Sequence, residues 1–269
     1  MLRLGLEQLS VFGLPPVAFV NLAADLGCEC ISTALTAMPY NPHGYPAFSL
    51  REDAALRREM IAALRDRGVA ISLGEGCNIR PNQSVSDMAR DLDLFHELGT
   101  ERINMVSLDS DLERSLDQFA QLASMAAERG MDSTLELCPA LIIGDLAAAL
   151  AAVRHVGRPD FRLLVDTMHF ARSGATAADI AALDPALIGY VQLSDAPLRP
   201  RIESYMQEAT FERMAPGEGE LPLREMLAAL PEDIVVSLEV PMRKEAEAGI
   251  GPEIRLRRCL EATRALLAA

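Results

Sequence analysis

Residues 128–138 read ERGMDSTLELC: the end of a charged helical stretch, a glycine, and a short run of strand-forming residues. A glycine at this point is typical of a helix C-terminus, because glycine readily adopts the left-handed conformation that ends a helix. The strand predicted over 133–138 then follows within a few residues, as it does in compact units of alternating helix and strand. The same arrangement recurs at Gly99, where ELG precedes TERINM. This stretch therefore predicts an α/β fold.

The alternation continues along the whole chain, which indicates βα units around a parallel sheet. Strands are predicted over 2–6, 30–35, 69–74, 102–107, 133–138, 161–166, 188–194 and 234–240. Helices are predicted over 15–26, 50–67, 83–98, 110–129, 143–155, 176–182, 221–229 and 252–268. Two strand-to-helix connections, 36–49 and 195–220, are long. Eight strands in 269 residues favour a (β/α)8 TIM barrel that forms a single domain over 1–269.

The composition disfavours several classes of protein. Half of the residues are hydrophobic, the formal net charge is −14 and the sequence pI is about 4.8, which argues against a surface that binds nucleic acid or anionic lipid. The first residues lack the pattern of a signal peptide, and no apolar window of about eighteen residues predicts a membrane span. Five cysteines without metal-finger spacing suit a reducing compartment. We therefore expect a cytoplasmic protein with a small-molecule substrate and no membrane or nucleic-acid partner; a homo-oligomer is compatible with the sequence.

Four predicted strands carry a polar residue near their carboxyl ends, where the loops of a barrel form the active site. These residues are Glu136, Asp166, Gln192 and Glu239, on strands five to eight. Each alone has an ordinary explanation, because a glutamate in a strand can face solvent or pair with an arginine. Three buried carboxylates on adjacent strands, however, repel one another unless a cation lies among them.

A divalent cation suits these four residues better than a lysine does, because the only lysine, Lys244, lies beyond strand eight. Three carboxylates and one amide oxygen form an oxygen-rich site suited to Mg²⁺ or Mn²⁺, with Zn²⁺ or Co²⁺ as alternatives. The sequence therefore predicts one divalent metal ion of open identity. Gln192 acts in this interpretation as a neutral ligand.

Other polar residues follow the strands in loops that open onto the same face. His169 lies three positions after Asp166 and either points into the mouth of the barrel or caps the following helix. Arg213, in ERMAPGEGELPL at 212–223, offers a clamp for an anion or a hydroxyl group, although its glycines also suit an ordinary turn. The remaining candidates for substrate binding, each of which can equally be solvated or structural, are Glu75, Asp195 and His43.

The order of these motifs resembles that of the xylose-isomerase-like TIM-barrel superfamily. The motifs are LELCP at 135–139, DTMH at 166–169, QLSD at 192–195, RMAPGEGEL at 213–221 and SLEVP at 237–241. The superfamily includes sugar isomerases, ketose 3-epimerases, hydroxypyruvate isomerases, inosose dehydratases, 3-dehydroshikimate dehydratases and the endonuclease-IV-like barrels. The resemblance rests on motifs in strands five to eight and on architecture alone in the first half.

This resemblance implies that Glu136, Asp166 and Glu239 bind the metal and that Glu136 and Glu239 form an acid/base pair. Gln192 departs from the family pattern, because sugar isomerases and epimerases typically have a histidine ligand there. A glutamine at this position is more similar to the dehydroshikimate dehydratase branch.

The resemblance also implies that His169 contacts a substrate oxygen and that Arg213 clamps the substrate. The predicted function is a divalent-metal-dependent isomerase or epimerase that acts on a carbohydrate-like hydroxy ketone, a sugar or a keto-polyol, through an enediolate. The alternative is a metal-dependent dehydratase, a carbon–oxygen lyase, which expels a β-hydroxyl group instead.

Three further classes fit the sequence less well. The endonuclease relatives of this barrel are rich in histidine, whereas this chain has four histidines in total. A Schiff-base aldolase needs a lysine near the end of a barrel strand, a place that Lys244 does not occupy. A non-catalytic barrel would bind metal without turning over any keto sugar.

Overall fold

Eight parallel strands close into a barrel in which each strand pairs with its sequence neighbour and the first pairs with the last. The structure is a computed structural model, and it describes residues 2–268. The strands are β1 (Arg3–Leu6), β2 (Cys30–Ala34), β3 (Ala70–Glu75), β4 (Arg102–Met105), β5 (Asp132–Glu136), β6 (Phe161–Asp166), β7 (Ile188–Leu193) and β8 (Val235–Leu238). The predicted (β/α)8 TIM barrel is confirmed. The domain limits 1–269 stay a prediction, since their end residues lie outside the described range.

Helices follow the strands around the barrel. They are α1 (Pro16–Asp25), α2 (Ala54–Arg67), α3 (Ala89–Glu97), α4 (Leu112–Ala127), α5 (Leu146–Val156), α6 (Thr167–Arg172), α7 (Ala177–Ala181), α8 (Tyr205–Phe211), α9 (Leu223–Ala228), α10 (Arg243–Glu247) and α11 (Pro252–Leu267). The sequence did not predict α6, α8 or α10, which lie in segments that were predicted as connections between strands and helices. Within residues 2–268, no helix has both the length and the apolar character that a bilayer span requires.

The strands are buried on both faces, as expected when helices cover a parallel sheet. All six residues of β7 are buried. Phe119 of α4 packs near Phe161 of β6 with ring centroids 6.1 Å apart, in the layer between helices and strands. Gly74 of β3 leaves room for the ring of Phe95, since a Cβ there would lie 2.9 Å from two of its carbons. The wall of the barrel is therefore rigid and closely packed, which fixes the side chains at its mouth.

A polar column runs up the inside of the barrel towards its carboxyl end. The buried hydroxyl of Tyr190, on β7, donates a hydrogen bond of 2.8 Å to Glu7 Oε1 and lies 3.0 Å from Ser72 Oγ. Below them, the guanidinium of Arg102 lies over the Tyr190 ring, 5.5 Å from its centroid. This column supports the carboxylates at the mouth from underneath.

Candidate metal and active site

The barrel brings the four predicted metal ligands to one end of the sheet. Glu136 and Asp166 are the last residues of β5 and β6, and Glu239 follows β8 directly. Gln192 lies on β7 in register with Asp166. Asp166 and Gln192 are fully buried, and Glu239 is 8% exposed, so the charges in this cluster are shielded from water.

Arg213 links two of these carboxylates. Its guanidinium pairs with Asp166 through Nη1 and with Glu239 Oε2 through Nη2 at 2.8 Å, while Nε donates to the carbonyl of Ala209 at 2.7 Å. Burial opposes the charge of Arg213, but the two carboxylates outweigh it and raise its pKa. Burial likewise opposes the charge of Asp166, but Arg213 and other partners lower its pKa overall. The predicted role of Arg213 as a substrate clamp stays a prediction.

His169 approaches Glu136 from α6. Its Nε2 lies 3.2 Å from Glu136 Oε1, and its Nδ1 lies 2.5 Å from the hydroxyl of Tyr205 on α8. Asn104 donates a 2.7 Å hydrogen bond to the other oxygen of Glu136. The helix cap is Asp166, which accepts from the backbone N–H of His169 at 2.8 Å, so the imidazole is free to enter the mouth. Glu136, Asp166 and His169, the histidine group, offer ligand atoms within 4.8 Å of one another.

A second group of carboxylates lies on the other side of Gln192. Glu7, Glu75 and Glu239, the three-glutamate group, also offer oxygens within 4.8 Å of one another. Gln192 Nε2 faces all three, at 3.4 Å from Glu7 Oε2, 3.2 Å from Glu75 Oε1 and 3.5 Å from Glu239 Oε1. Burial raises the pKa of Glu75 well above the ordinary value, and neighbouring carboxylates raise it further. Burial also raises the pKa of Glu239 well above the ordinary value, against the opposing charge of Arg213 and with the neighbouring carboxylates adding to the rise. These glutamates therefore hold a proton more readily than exposed ones do.

Sequence reasoning missed Glu7, Asn104 and Tyr205. Glu7 directly follows the apolar run of β1, so the signal that identified the carboxylates on strands five to eight also marks this residue. Asn104 lies inside β4, and Tyr205 begins a helix of seven residues within the segment predicted as a long loop. Asn104 is an amide within an apolar strand, as Gln192 is, so the same signal was available for it, whereas Tyr205 carries no local signal of its own.

The side chains present fit a divalent cation. Gln192 Oε1 is buried and has no hydrogen-bond partner among residues 2–268. An unsatisfied buried acceptor costs about 1–3 kcal/mol, which a cation at this oxygen would offset. Arg213 occupies one oxygen of Asp166 and one of Glu239, so an ion would share both carboxylates with the guanidinium. The histidine group adds His169 as a nitrogen donor, an atom that suits Zn²⁺ or Co²⁺ better than Mg²⁺.

Asp195, a predicted substrate contact, organises the loop that carries Arg213. Its carboxylate accepts backbone N–H bonds from Ala196 at 2.8 Å, Gly217 at 2.9 Å and Leu221 at 3.1 Å. A Cβ at Gly219 would clash with this carboxylate, so the close approach requires glycine. In this structure Asp195 acts on the loop backbone, and contact with a substrate stays a prediction.

The other two predicted substrate contacts differ in position. Glu75 belongs to the three-glutamate group. His43 packs against Tyr45 in the loop after β2, with ring centroids 5.4 Å apart, and burial and the charge of Arg255 lower its pKa. Within residues 2–268, no hydrogen bond joins His43 to the four predicted ligands, and its contact with a substrate stays a prediction.

A cavity of about 210 Å³ opens onto Glu75 and Glu239. The rest of its lining consists of Gln8, Leu9, Ser32, Ala34, Thr36 and Met38. The combination of apolar walls with a few converging polar groups is typical of a small-molecule site.

The sequence matches the family model described as xylose isomerase-like TIM barrel over residues 20–260. The chain therefore belongs to the xylose isomerase-like TIM-barrel family, which confirms the resemblance seen in its motifs. Comparison with curated proteins finds no matching sequence.

Solved structures share this fold at low sequence identity. The IOLI protein with a zinc atom gives a TM-score of 0.81 at 17% identity, over 99% of this chain and 98% of that one. A D-psicose 3-epimerase in the presence of D-fructose gives 0.72 at 16% identity, with both chains covered in full, 100% each. The probable 3-DHS dehydratase AsbF from Bacillus anthracis gives 0.72 at 16% identity, over 98% of this chain and 99% of that one. Similarity at this level shows the fold alone.

Proposed function

We propose that the protein is a divalent-metal-dependent isomerase or epimerase of a carbohydrate-like hydroxy ketone, a sugar or a keto-polyol. The observation that carries this proposal is the pair of glutamates at the mouth of the barrel, Glu136 and Glu239. They come from strands on either side of Asp166 and Gln192, and each is held by different partners. Two separately held carboxylates around one reaction centre are what proton transfer to either of two positions requires.

Glu136, Asp166, Gln192 and Glu239 would hold the metal. A divalent ion bound by them would polarise the substrate carbonyl and increase the acidity of the neighbouring C–H group. The orphaned oxygen of Gln192 supports this ligand set. The metal is Mg²⁺, Mn²⁺, Co²⁺ or Zn²⁺.

The chain's own residues move the proton. Glu239, held at the mouth by Arg213, removes the proton next to the carbonyl to give the enediolate. Glu136, in its acid form, gives a proton of its own to the opposite face or to the neighbouring carbon, and proton exchange with water then restores both glutamates. Asn104 and His169 hold the two oxygens of Glu136 in place. Arg213 holds Glu239 against Asp166 and so limits its movement.

Solvent deuterium exchange tests this proposal. Wild-type protein with Mn²⁺ is incubated in D₂O with a panel of ketoses and keto-polyols, and NMR follows the hydrogen next to each carbonyl. Exchange is expected in at least one compound. For an epimer pair, Glu239→Gln is expected to stop exchange from one epimer and Glu136→Gln from the other, because each base serves one face. Absence of exchange across the panel would contradict the proposal.

A metal-dependent dehydratase is the second candidate. The position of His169 favours it, since an imidazole beside Glu136 and the Tyr205 hydroxyl is suited to giving a proton to a departing hydroxyl group. In that case the same proton removal leads to loss of water, and the product is an enone that absorbs in the ultraviolet. A product isomeric with its substrate, without new absorbance, would exclude this candidate.

The remaining parts of the proposal concern substrate size and location. A cavity of about 210 Å³ supports a small-molecule substrate. A cytoplasmic location is supported by the five cysteines, which are all buried and unpaired.

A further inference from the structure

The amide of Gln192 has a defined orientation. Its Nε2 lies 3.2 to 3.5 Å from one oxygen of each member of the three-glutamate group. The nitrogen and oxygen of an amide are told apart by their surroundings, and three carboxylate oxygens favour N–H at this place. The reverse orientation would put the amide oxygen against three other oxygens. The three-glutamate group therefore turns Oε1, which has no partner in the described residues, away from itself.

Glu75 Oε1 lies nearer to the amide nitrogen than Glu7 Oε2 does, at 3.2 Å against 3.4 Å, but Glu7 is the member whose own position is fixed by the barrel interior. Glu239 is already paired with Arg213, and Glu75 lines the open cavity. Glu7 is 1% exposed, and its second oxygen accepts the 2.8 Å hydrogen bond from Tyr190. One oxygen of Glu7 is thus fixed by the polar column, which leaves the other to receive the amide N–H.

We propose that Glu7 is a positioning residue, which orients the amide of Gln192 so that Oε1 is presented to the metal. The inference rests on the proposed metal site but concerns a residue outside the proposed ligand set, which directly follows β1. It explains how a glutamine serves as a ligand: the amide needs an acceptor for its N–H group, and β1 supplies one. Groups that orient a ligand in this way commonly change metal affinity when they are replaced.

The same geometry makes the three-glutamate group a set of hydrogen-bond acceptors for the amide and not a second cation site. A cation among Glu7, Glu75 and Glu239 would face the N–H groups of Gln192, which carry partial positive charge. One metal ion per chain is therefore expected at saturation.

A double-mutant cycle on metal binding tests the proposal. Mn²⁺ affinity and stoichiometry are measured by calorimetry on metal-free wild type, Glu7→Met, Gln192→Ala and the double variant. Glu7→Met removes the acceptor for the amide N–H at similar side-chain size, and it is expected to weaken binding by about 10- to 100-fold in the wild-type background. It is expected to have no effect in Gln192→Ala, because a residue that acts through the amide has nothing to orient once the amide is gone.

A direct electrostatic effect of Glu7 would give the opposite pattern. A carboxylate that attracts the ion, or binds it, weakens binding in both backgrounds when it is removed, and that result would overturn the proposal. Two ions per chain, with one lost in Glu7→Met, would overturn it as well. Unchanged affinity in Glu7→Met, while wild type binds Mn²⁺, would also overturn it, although the proposed function would then stand. Wild type that binds no Mn²⁺, Mg²⁺, Co²⁺ or Zn²⁺ would refute both.

Two further variants separate positioning from loss of folding. Tyr190→Phe leaves Glu7 in place but removes its fixed hydrogen bond, so a smaller, few-fold loss of Mn²⁺ affinity is expected. Glu208→Gln changes another buried carboxylate, which pairs with Arg172 and has no contact with Gln192. Mn²⁺ affinity is expected to be unchanged in this control. Thermal unfolding of each metal-free variant verifies that it is folded.

Discussion

The two carboxylate groups at the mouth of the barrel are compensated in different ways. In the histidine group, Asp166 has the full charge of Arg213 beside it, and its pKa is lowered. In the three-glutamate group, the shared donor is the neutral amide of Gln192, and the pKa of Glu75 is raised well above the ordinary value. Arg213 also pairs with Glu239, but burial and the nearby carboxylates raise the pKa of Glu239 all the same. The contrast is therefore between Asp166, whose positive partners outweigh burial, and Glu75, whose side-chain donors are the neutral amides of Gln192 and Asn104.

This difference predicts opposite responses to pH. A carboxyl group whose pKa is lowered on folding stabilises the protein above its unfolded pKa, and that stability is lost as the pH falls through the folded pKa. A carboxyl group whose pKa is raised on folding imposes no penalty below its unfolded pKa. The protein then loses stability as the pH rises towards the folded pKa. The following predictions test the contrast.

The largest effect is expected when Arg213 is replaced. Arg213→Met leaves Asp166 and Glu239 buried without their shared cation, so metal-free protein at pH 7 is expected to lose about 3–5 kcal/mol of unfolding free energy. The loss should shrink at acid pH, where protonation of Asp166 removes its need for a cation. Urea unfolding at pH 7 and pH 3 measures both quantities.

A surface arginine provides the control for this variant. Arg257 pairs with Glu253 at 3.0 Å on α11, and their side chains are 50% and 65% exposed. Arg257→Met is expected to change the unfolding free energy by less than about 0.5 kcal/mol. An equal loss of unfolding free energy in Arg213→Met and Arg257→Met would mean that the buried ion pairs of Arg213 stabilise the protein no more than an exposed pair does.

A smaller effect is expected in the loop that carries Arg213. In Gly219→Ala the added Cβ meets the Asp195 carboxylate and lies 2.7 Å from the backbone nitrogen of Ala196, so a loss of about 1–3 kcal/mol is expected. Gly251→Ala is the matched control, since Gly251 has φ −64° and a Cβ added there would have no other atom within 4 Å. Its unfolding free energy in urea should differ from wild type by no more than about 0.5 kcal/mol. A comparable loss in both would show that the contact with Asp195 is not the cause.

The sequence was sufficient for the barrel because its signals are local. Apolar runs and the glycines that end helices identify the strands, and all eight predicted strands overlap the observed ones. Polar residues at the ends of such runs also identified Glu136 and Asp166. The helix α6 was missed because it starts at the end of β6, where Asp166 is both the last strand residue and the cap.

The hydrogen-bond and ion-pair partners of each site residue were harder to predict from the sequence. Gln192 was recognised as an unusual amide in a buried strand, but its contact with Glu7 joins residues 185 positions apart. Nothing near either residue in the sequence specifies the orientation of the amide. The pairing of Arg213 with Asp166 and Glu239 likewise depends on how the loop after β7 folds back over the mouth. Composition and periodicity carry no information on such contacts.

The smallest effect is expected in the three-glutamate group, where its sign is the informative quantity. Glu75→Gln removes a carboxyl group whose folded pKa is raised, so metal-free protein at pH 8 is expected to gain stability, on the order of 1 kcal/mol. Near pH 4, below the ordinary glutamate pKa of about 4.3, Glu75 is protonated in both states and the gain should disappear. Urea unfolding of wild type and variant across this range measures the difference. A variant less stable than wild type at pH 8 would mean that Glu75 is held as a charged partner, and the contrast with Asp166 would no longer hold.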